Sequence, residues 1–107
     1  MFLNLFTHNR VRPEEARELL DKGEATLVDV RTPGEYSQGH IPDALLIPLD
    51  RLAFEAPVKL PDKEAKLLIY CLSGNRSRTA VSILSRNGYT DVHDLGGITS
   101  WPYKITV

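Results

Sequence analysis

Leu67-Leu68-Ile69-Tyr70-Cys71-Leu72-Ser73-Gly74-Asn75-Arg76-Ser77-Arg78 is the stretch from which the rest of the chain is best read. Its first five residues are a continuous apolar run, the pattern of a strand buried on both faces of a parallel sheet. A short polar loop follows. From Ser77 to Asn87, Ala80, Val81 and Leu84 recur on one face, which predicts a helix stopped by Gly88. Cys71 therefore stands at the carboxyl end of a buried strand, where open α/β sheets bind their ligands. The helix start offers unpaired N–H groups and a partial positive charge. Gly74 permits a positive φ that turns several N–H groups inward as an anion-binding nest, and Arg76 adds a guanidinium. A thiol in such a field is favoured as the thiolate, the reactive form. The plain alternative is an inert structural cysteine at a strand end, followed by an ordinary turn.

Working outward, strand-like runs recur at residues 25–30 (Ala25-Thr26-Leu27-Val28-Asp29-Val30) and 44–47, with a last short one at 92–94 and a possible first one at 2–6. Pro13, Glu14 and Glu15 suit a helix N-terminus, Ala16, Leu19 and Leu20 share a face, and Gly23 ends the helix. Arg12 is a poor N-cap. Residues 33–38 allow one or two helical turns, and Asp50 can cap a short helix over 51–55. The stretch 56–62, with Pro57 and Pro61, reads as a loop. Strands alternating with helices imply an α/β fold with a mostly parallel sheet of about five short strands.

The chain has 107 residues, with 13 Lys and Arg against 14 Asp and Glu, a net charge of −1. That length and a 42% hydrophobic content suit one domain over 1–107. The balance of charge excludes a broad nucleic-acid surface, which needs a cationic excess. One cysteine excludes an internal disulfide and a multi-cysteine zinc site, and His8, His40 and His93 lack metal-ligand spacing. No metal or cofactor is expected. No apolar run approaches the ~18 residues of a membrane span, and Met1 to Arg10 is too short and interrupted for a signal peptide. A cytoplasmic protein, monomeric or weakly dimeric, with no membrane or nucleic-acid partner, is the expectation.

Several segments, in order, resemble the rhodanese-like family of sulfurtransferases. Leu27-Val28-Asp29-Val30-Arg31, Glu35-Tyr36, Gly39-His40-Ile41-Pro42 and Ala44 resemble its first signature, and Ile47-Pro48-Leu49 its continuation. Tyr70-Cys71 through Arg76-Ser77 resembles its active-site loop. Asn87-Gly88-Tyr89, Val92, Leu95, Gly96-Gly97-Ile98 and Trp101 resemble its closing pattern. Asp43 departs from a usual glycine, Leu46 from a common asparagine, and Leu72 from a frequent basic residue. The tail after Trp101 is short.

The resemblance implies a three-layer fold with helices on both faces of the sheet, and double-displacement sulfur transfer. The Cys71 thiolate takes the outer sulfur of a donor such as thiosulfate, carries it as a persulfide, and passes it to a thiol, protein or cyanide. Leu72, Ser73, Gly74, Asn75, Arg76 and Ser77 form the substrate-binding loop. Their backbone N–H groups stabilise the persulfide, and Arg76 either holds the donor anion or braces the loop. Asp29 and Arg31 support the site, through hydrogen bonds or a pair with Glu35, or else stabilise the fold away from it. His40 reads as structural. Two other functions stay open: a sulfur-independent protein-binding module, and a cysteine phosphatase or arsenate reductase. The phosphatase reading is disfavoured because only four residues separate Cys71 from Arg76, one fewer than in phosphatase loops. It would also need a general acid, for which only Asp43 or Asp50 could be imagined.

Overall fold

A computed structural model describes residues 9–107. The elements run α1 (Pro13–Asp21), β1 (Thr26–Asp29), α2 (Pro33–Ser37), β2 (Leu45–Leu46), a 3-10 turn (Leu49–Arg51), α3 (Leu52–Lys59), β3 (Leu67–Cys71), α4 (Asn75–Arg86), β4 (Val92–Gly97) and a second 3-10 turn (Ile98–Ser100). Among the described residues the sheet has four strands, all parallel, in the order β2-β1-β3-β4. The strand expected at residues 2–6 lies outside the described residues. Just after it, Arg10 makes a parallel bridge to Asp94, and the Val11 N–H donates to the Asp94 carbonyl at 3.1 Å. The sheet thus gains a bridge on the free side of β4.

Period-two alternation divides the core between two faces. Leu67, Ile69 and Cys71 of β3 join Val28 and Val30 against Leu52, Ala56 and Leu60 around α3 and Ala80, Val81 and Leu84 of α4. Leu68 and Tyr70 point the other way, with Leu27, to meet Ala16, Leu19 and Leu20 of α1 and Tyr36 of α2. All five residues of β3 are buried, as a strand covered on both faces must be. The result is the expected three-layer arrangement. Each fully buried Leu or Ile contributes about 1.5–3 kcal/mol over its exposed state, so β3 is anchored from both sides.

Several element boundaries differ from the expectation. α3 continues through the stretch read as a loop, to Lys59, with Pro57 inside it. Leu52, Ala56 and Leu60 recur every fourth residue and are all buried. That stripe holds the helix down, while Pro57 and Ala53, whose carbonyl loses its usual N–H partner, are both exposed to water. Asp50 is not a side-chain cap: the N-cap position is Arg51, and the preceding turn is 3-10. α4 starts at Asn75, two residues early, because Gly74 itself takes the N-cap position at φ +110°. β4 extends to Gly97. It accommodates one extra residue, Leu95, since Asp94 pairs with Ile69 and Gly96 with Tyr70.

Candidate active site at the end of the third strand

The carboxyl ends of β1, β2 and β3 and the first turns of α2 and α4 meet at one end of the sheet. Cys71 closes β3 and is 1% exposed. The chain then turns through Leu72 and Ser73 to Gly74. The left-handed φ of Gly74 aims its N–H back at the thiol, and that N–H donates to Cys71 Sγ at 3.0 Å. The Ser77 hydroxyl donates to the Gly74 carbonyl at 3.1 Å and is fully buried, which holds the loop to the first turn of α4. α4 has no side-chain cap. The N–H groups of Asn75, Arg76 and Ser77 belong to its first turn, where a helix has no internal acceptors. The positive end of the helix dipole therefore lies beside the sulfur.

Arg76 does not stand free over the thiol. Its two terminal nitrogens donate to Glu35 Oε1 (2.8 Å) and Oε2 (3.0 Å), a two-pronged pair joining α4 to α2 across 41 positions of sequence. Glu35 also closes a capping box. The Glu35 N–H donates to the Thr32 hydroxyl, and Glu35 Oε1 accepts from the Thr32 N–H at 2.9 Å. Arg76, then the Thr32 N–H, hold the Glu35 carboxyl down at about 2. The same pairing raises Arg76, with the Cys71 charge contributing.

Asp29 and Arg31 pair with each other rather than with Glu35. Arg31 Nε lies 3.0 and 3.1 Å from the two Asp29 oxygens and its Nη2 lies 2.7 Å from Oδ2. Its backbone N–H donates to Oδ1, and Nη2 also donates to the Gly39 carbonyl at 2.8 Å. Burial opposes the Arg31 charge, but the Asp29 bonds prevail and raise it. The neighbouring Tyr70 hydroxyl accepts from the Ile41 N–H at 3.1 Å. Burial, then Asp29, push its phenol upward. His40 is committed locally: its Nδ1 donates to the Tyr36 carbonyl at 2.8 Å and its ring stacks on Tyr36 at 3.7 Å. Asp43 takes φ +68° in place of a glycine, a conformation Asp tolerates better than most residues. Of the two acids considered for a phosphatase, Asp50 shares a groove with Arg76, whereas Asp43 lines a separate pocket with Trp101 and Tyr103.

Sequence reasoning missed two supports of the loop. A Cβ on Gly97 would collide with the Leu72 carbonyl oxygen and come within 2.8 Å of Ser73 Cα. Only a glycine lets β4 lie against the loop. Thr99 then holds the Leu72 carbonyl, donating to it from both its N–H and its hydroxyl at 3.3 Å. The available signal was the Gly96-Gly97 pair at a strand end, which marks close backbone approach. Among the described residues no helix is long and apolar enough to cross a membrane.

Comparison with known proteins places this geometry. The profile of the rhodanese-like domain family matches residues 12–103. A sulfurtransferase of Allochromatium vinosum is 40% identical over 89 residues, covering 80% of this chain and 79% of that protein. Thiosulfate sulfurtransferase GlpE of Pseudomonas syringae is 36% identical over 93 residues, covering 86% and 85%. Among solved structures, the human single-domain sulfurtransferase TSTD1 superposes with a TM-score of 0.79 at 30% identity, covering 89% of this chain and 96% of that one.

Proposed function

The chain belongs to the rhodanese-like domain family, and from that premise we propose that it is a sulfurtransferase working through a persulfide on Cys71. The observation that carries this reading is the Gly74 N–H pointed at Cys71 Sγ at 3.0 Å. An amide fixed on a sulfur at the mouth of a helix is a preorganised stabiliser of sulfur-borne negative charge. The Cys71 thiolate attacks the outer sulfur of thiosulfate. The S–S bond of the donor breaks, sulfite leaves with its electron pair, and Cys71 carries S–S⁻. A thiolate or cyanide then attacks the outer sulfur and Cys71 departs as thiolate. No proton moves in either step, so no general base is required, which fits a His40 committed to Tyr36.

In this scheme Gly74 and the first-turn N–H groups of α4 hold the persulfide, with Leu72, Ser73, Asn75 and Ser77 shaping the loop. Of the two roles considered for Arg76, its bonds to Glu35 support bracing, and Asp29 with Arg31 support the adjoining strand end from within the fold. A persulfide with no second cysteine beside it is discharged by an outside thiol, which suits a cytoplasmic setting. The test is thiocyanate formation from thiosulfate and cyanide. Wild type should turn over and Cys71→Ser should not. Equal rates for the two, or none for wild type, would overturn the proposal.

A further inference from the structure

A cavity of about 360 Å³ opens on the α1 side of the sheet, and none of residues 71–77 lines it. Its floor is apolar, made by Leu20 of α1, Leu27 of β1 and Ile41. Trp101 and Tyr103 form an aromatic wall, their rings meeting edge to face at 5.0 Å. That wall is fixed in place. The Trp101 indole N–H donates to the Lys104 carbonyl at 3.2 Å, and the Arg17 guanidinium lies over the Tyr103 ring at 4.5 Å. Further along, His40 and Thr106 exchange backbone hydrogen bonds of 2.8 and 2.9 Å, which holds the tail beside the turn that carries Asp43.

Charged side chains of both signs border the cavity. Arg17 is engaged by Tyr103 and, at 3.7 Å, by Asp21. The Asp43 carboxylate and the Lys104 ammonium have no ion-pair or hydrogen-bond partner among the described residues. Asp43 also stands at φ +68°, where glycine is the unstrained choice. No hydrogen bond of its carboxylate within the described fold holds that conformation, and strain that the fold does not use marks a functional position. An unpaired anion and an unpaired cation beside one apolar cavity suit a ligand that carries both charges next to an apolar body. We propose that the cavity binds a free α-amino acid with an aromatic side chain. Its ammonium meets Asp43, its carboxylate meets Lys104, and its ring packs against Trp101, a contact that aromatic pairs favour. The flexible stem of Lys104 lets its ammonium follow the carboxylate. A peptide terminus offers only one of the two charges, so the free amino acid is the better match.

Trp101 is the only tryptophan of the chain, so its fluorescence reports on the cavity wall. The experiment titrates that signal with phenylalanine, phenethylamine and 3-phenylpropionate, in wild type, Asp43→Asn, Lys104→Met and Cys71→Ser. Phenylalanine should bind saturably, and each singly charged analogue about tenfold more weakly, the loss of one charge-assisted contact. Asp43→Asn keeps a residue that tolerates the left-handed turn. It should weaken phenylalanine and leave 3-phenylpropionate unchanged. Lys104→Met should weaken phenylalanine and leave phenethylamine unchanged. Cys71→Ser should bind phenylalanine as wild type does, which separates this cavity from the sulfur site. No saturable change with phenylalanine in wild type would overturn the proposal. So would equal binding of all three compounds, affinities untouched by both cavity substitutions, or loss of binding in Cys71→Ser.

Discussion

Two carboxylate–guanidinium pairs lie near Cys71, and they are built for different work. Asp29 and Arg31 are two residues apart, and their side chains are 0% and 4% exposed. Together they bind a backbone N–H and the Gly39 carbonyl, so the pair is locked into the end of β1. Glu35 and Arg76 are 29% and 33% exposed and come from different helices. The first pair sits where losing one partner leaves a charge in the core. The second sits where water can replace a lost partner, so its value lies in the position it gives the loop. Burial separates a pair that holds the fold from a pair that positions the loop after Cys71.

That contrast can be broken from the inside out. Arg31→Met should cost about 3–5 kcal/mol, the usual penalty for stranding a buried charge, read from the urea unfolding midpoint. Gly97→Ala comes next. Its methyl must displace the Leu72–Ser73 backbone, which should cost about 1–3 kcal/mol as overpacking. It should also lower turnover about 100-fold through misplacement of the loop. A Gly97→Ala protein with wild-type turnover would remove the close approach from the account. Glu35→Gln is the mildest for stability, about 1 kcal/mol or less because the pair is partly solvated, yet it should lower turnover with little change in unfolding midpoint.

Acid sharpens the same comparison. The Glu35 carboxyl lies at about 2 in the folded protein, below its ordinary 4.5. A depressed carboxylate adds stability that is complete above its unfolded value and is lost as pH falls through the folded one. The stability gap between wild type and Glu35→Gln should therefore hold at neutral pH, shrink as pH falls from 4.5 towards 2, and vanish only below the folded value of about 2. A gap that persists well below pH 2, where Glu35 is protonated in both states, would mean that Glu35 acts through something other than its charge.

The legible parts of the molecule were those governed by local pattern. The apolar run ending at Cys71, the glycine three residues on, and the alternation of strands with helices specify the sheet and the thiol's place at its end. α3 was harder because Pro57 is a local stop signal. The stripe of Leu52, Ala56 and Leu60 that overrides it acts through tertiary burial. The polar Asn75 and Arg76 carry no helical face, so the early start of α4 is visible only once Gly74 adopts its left-handed turn. The Arg76 partner was hidden for a different reason. The sequence suggested Glu35 as a partner for Arg31 and named none for Arg76, and only the fold decides which guanidinium reaches it. Gly97 likewise announces a close approach without saying what approaches.

The central claim is that Cys71 stores a transferable sulfur, and intact-mass measurement after incubation with excess thiosulfate and removal of the donor tests it most directly. Wild-type protein should gain one sulfur atom per chain, lose it on addition of cyanide, and show no gain as Cys71→Ser. An unchanged wild-type mass, or the same gain in Cys71→Ser, would contradict the account.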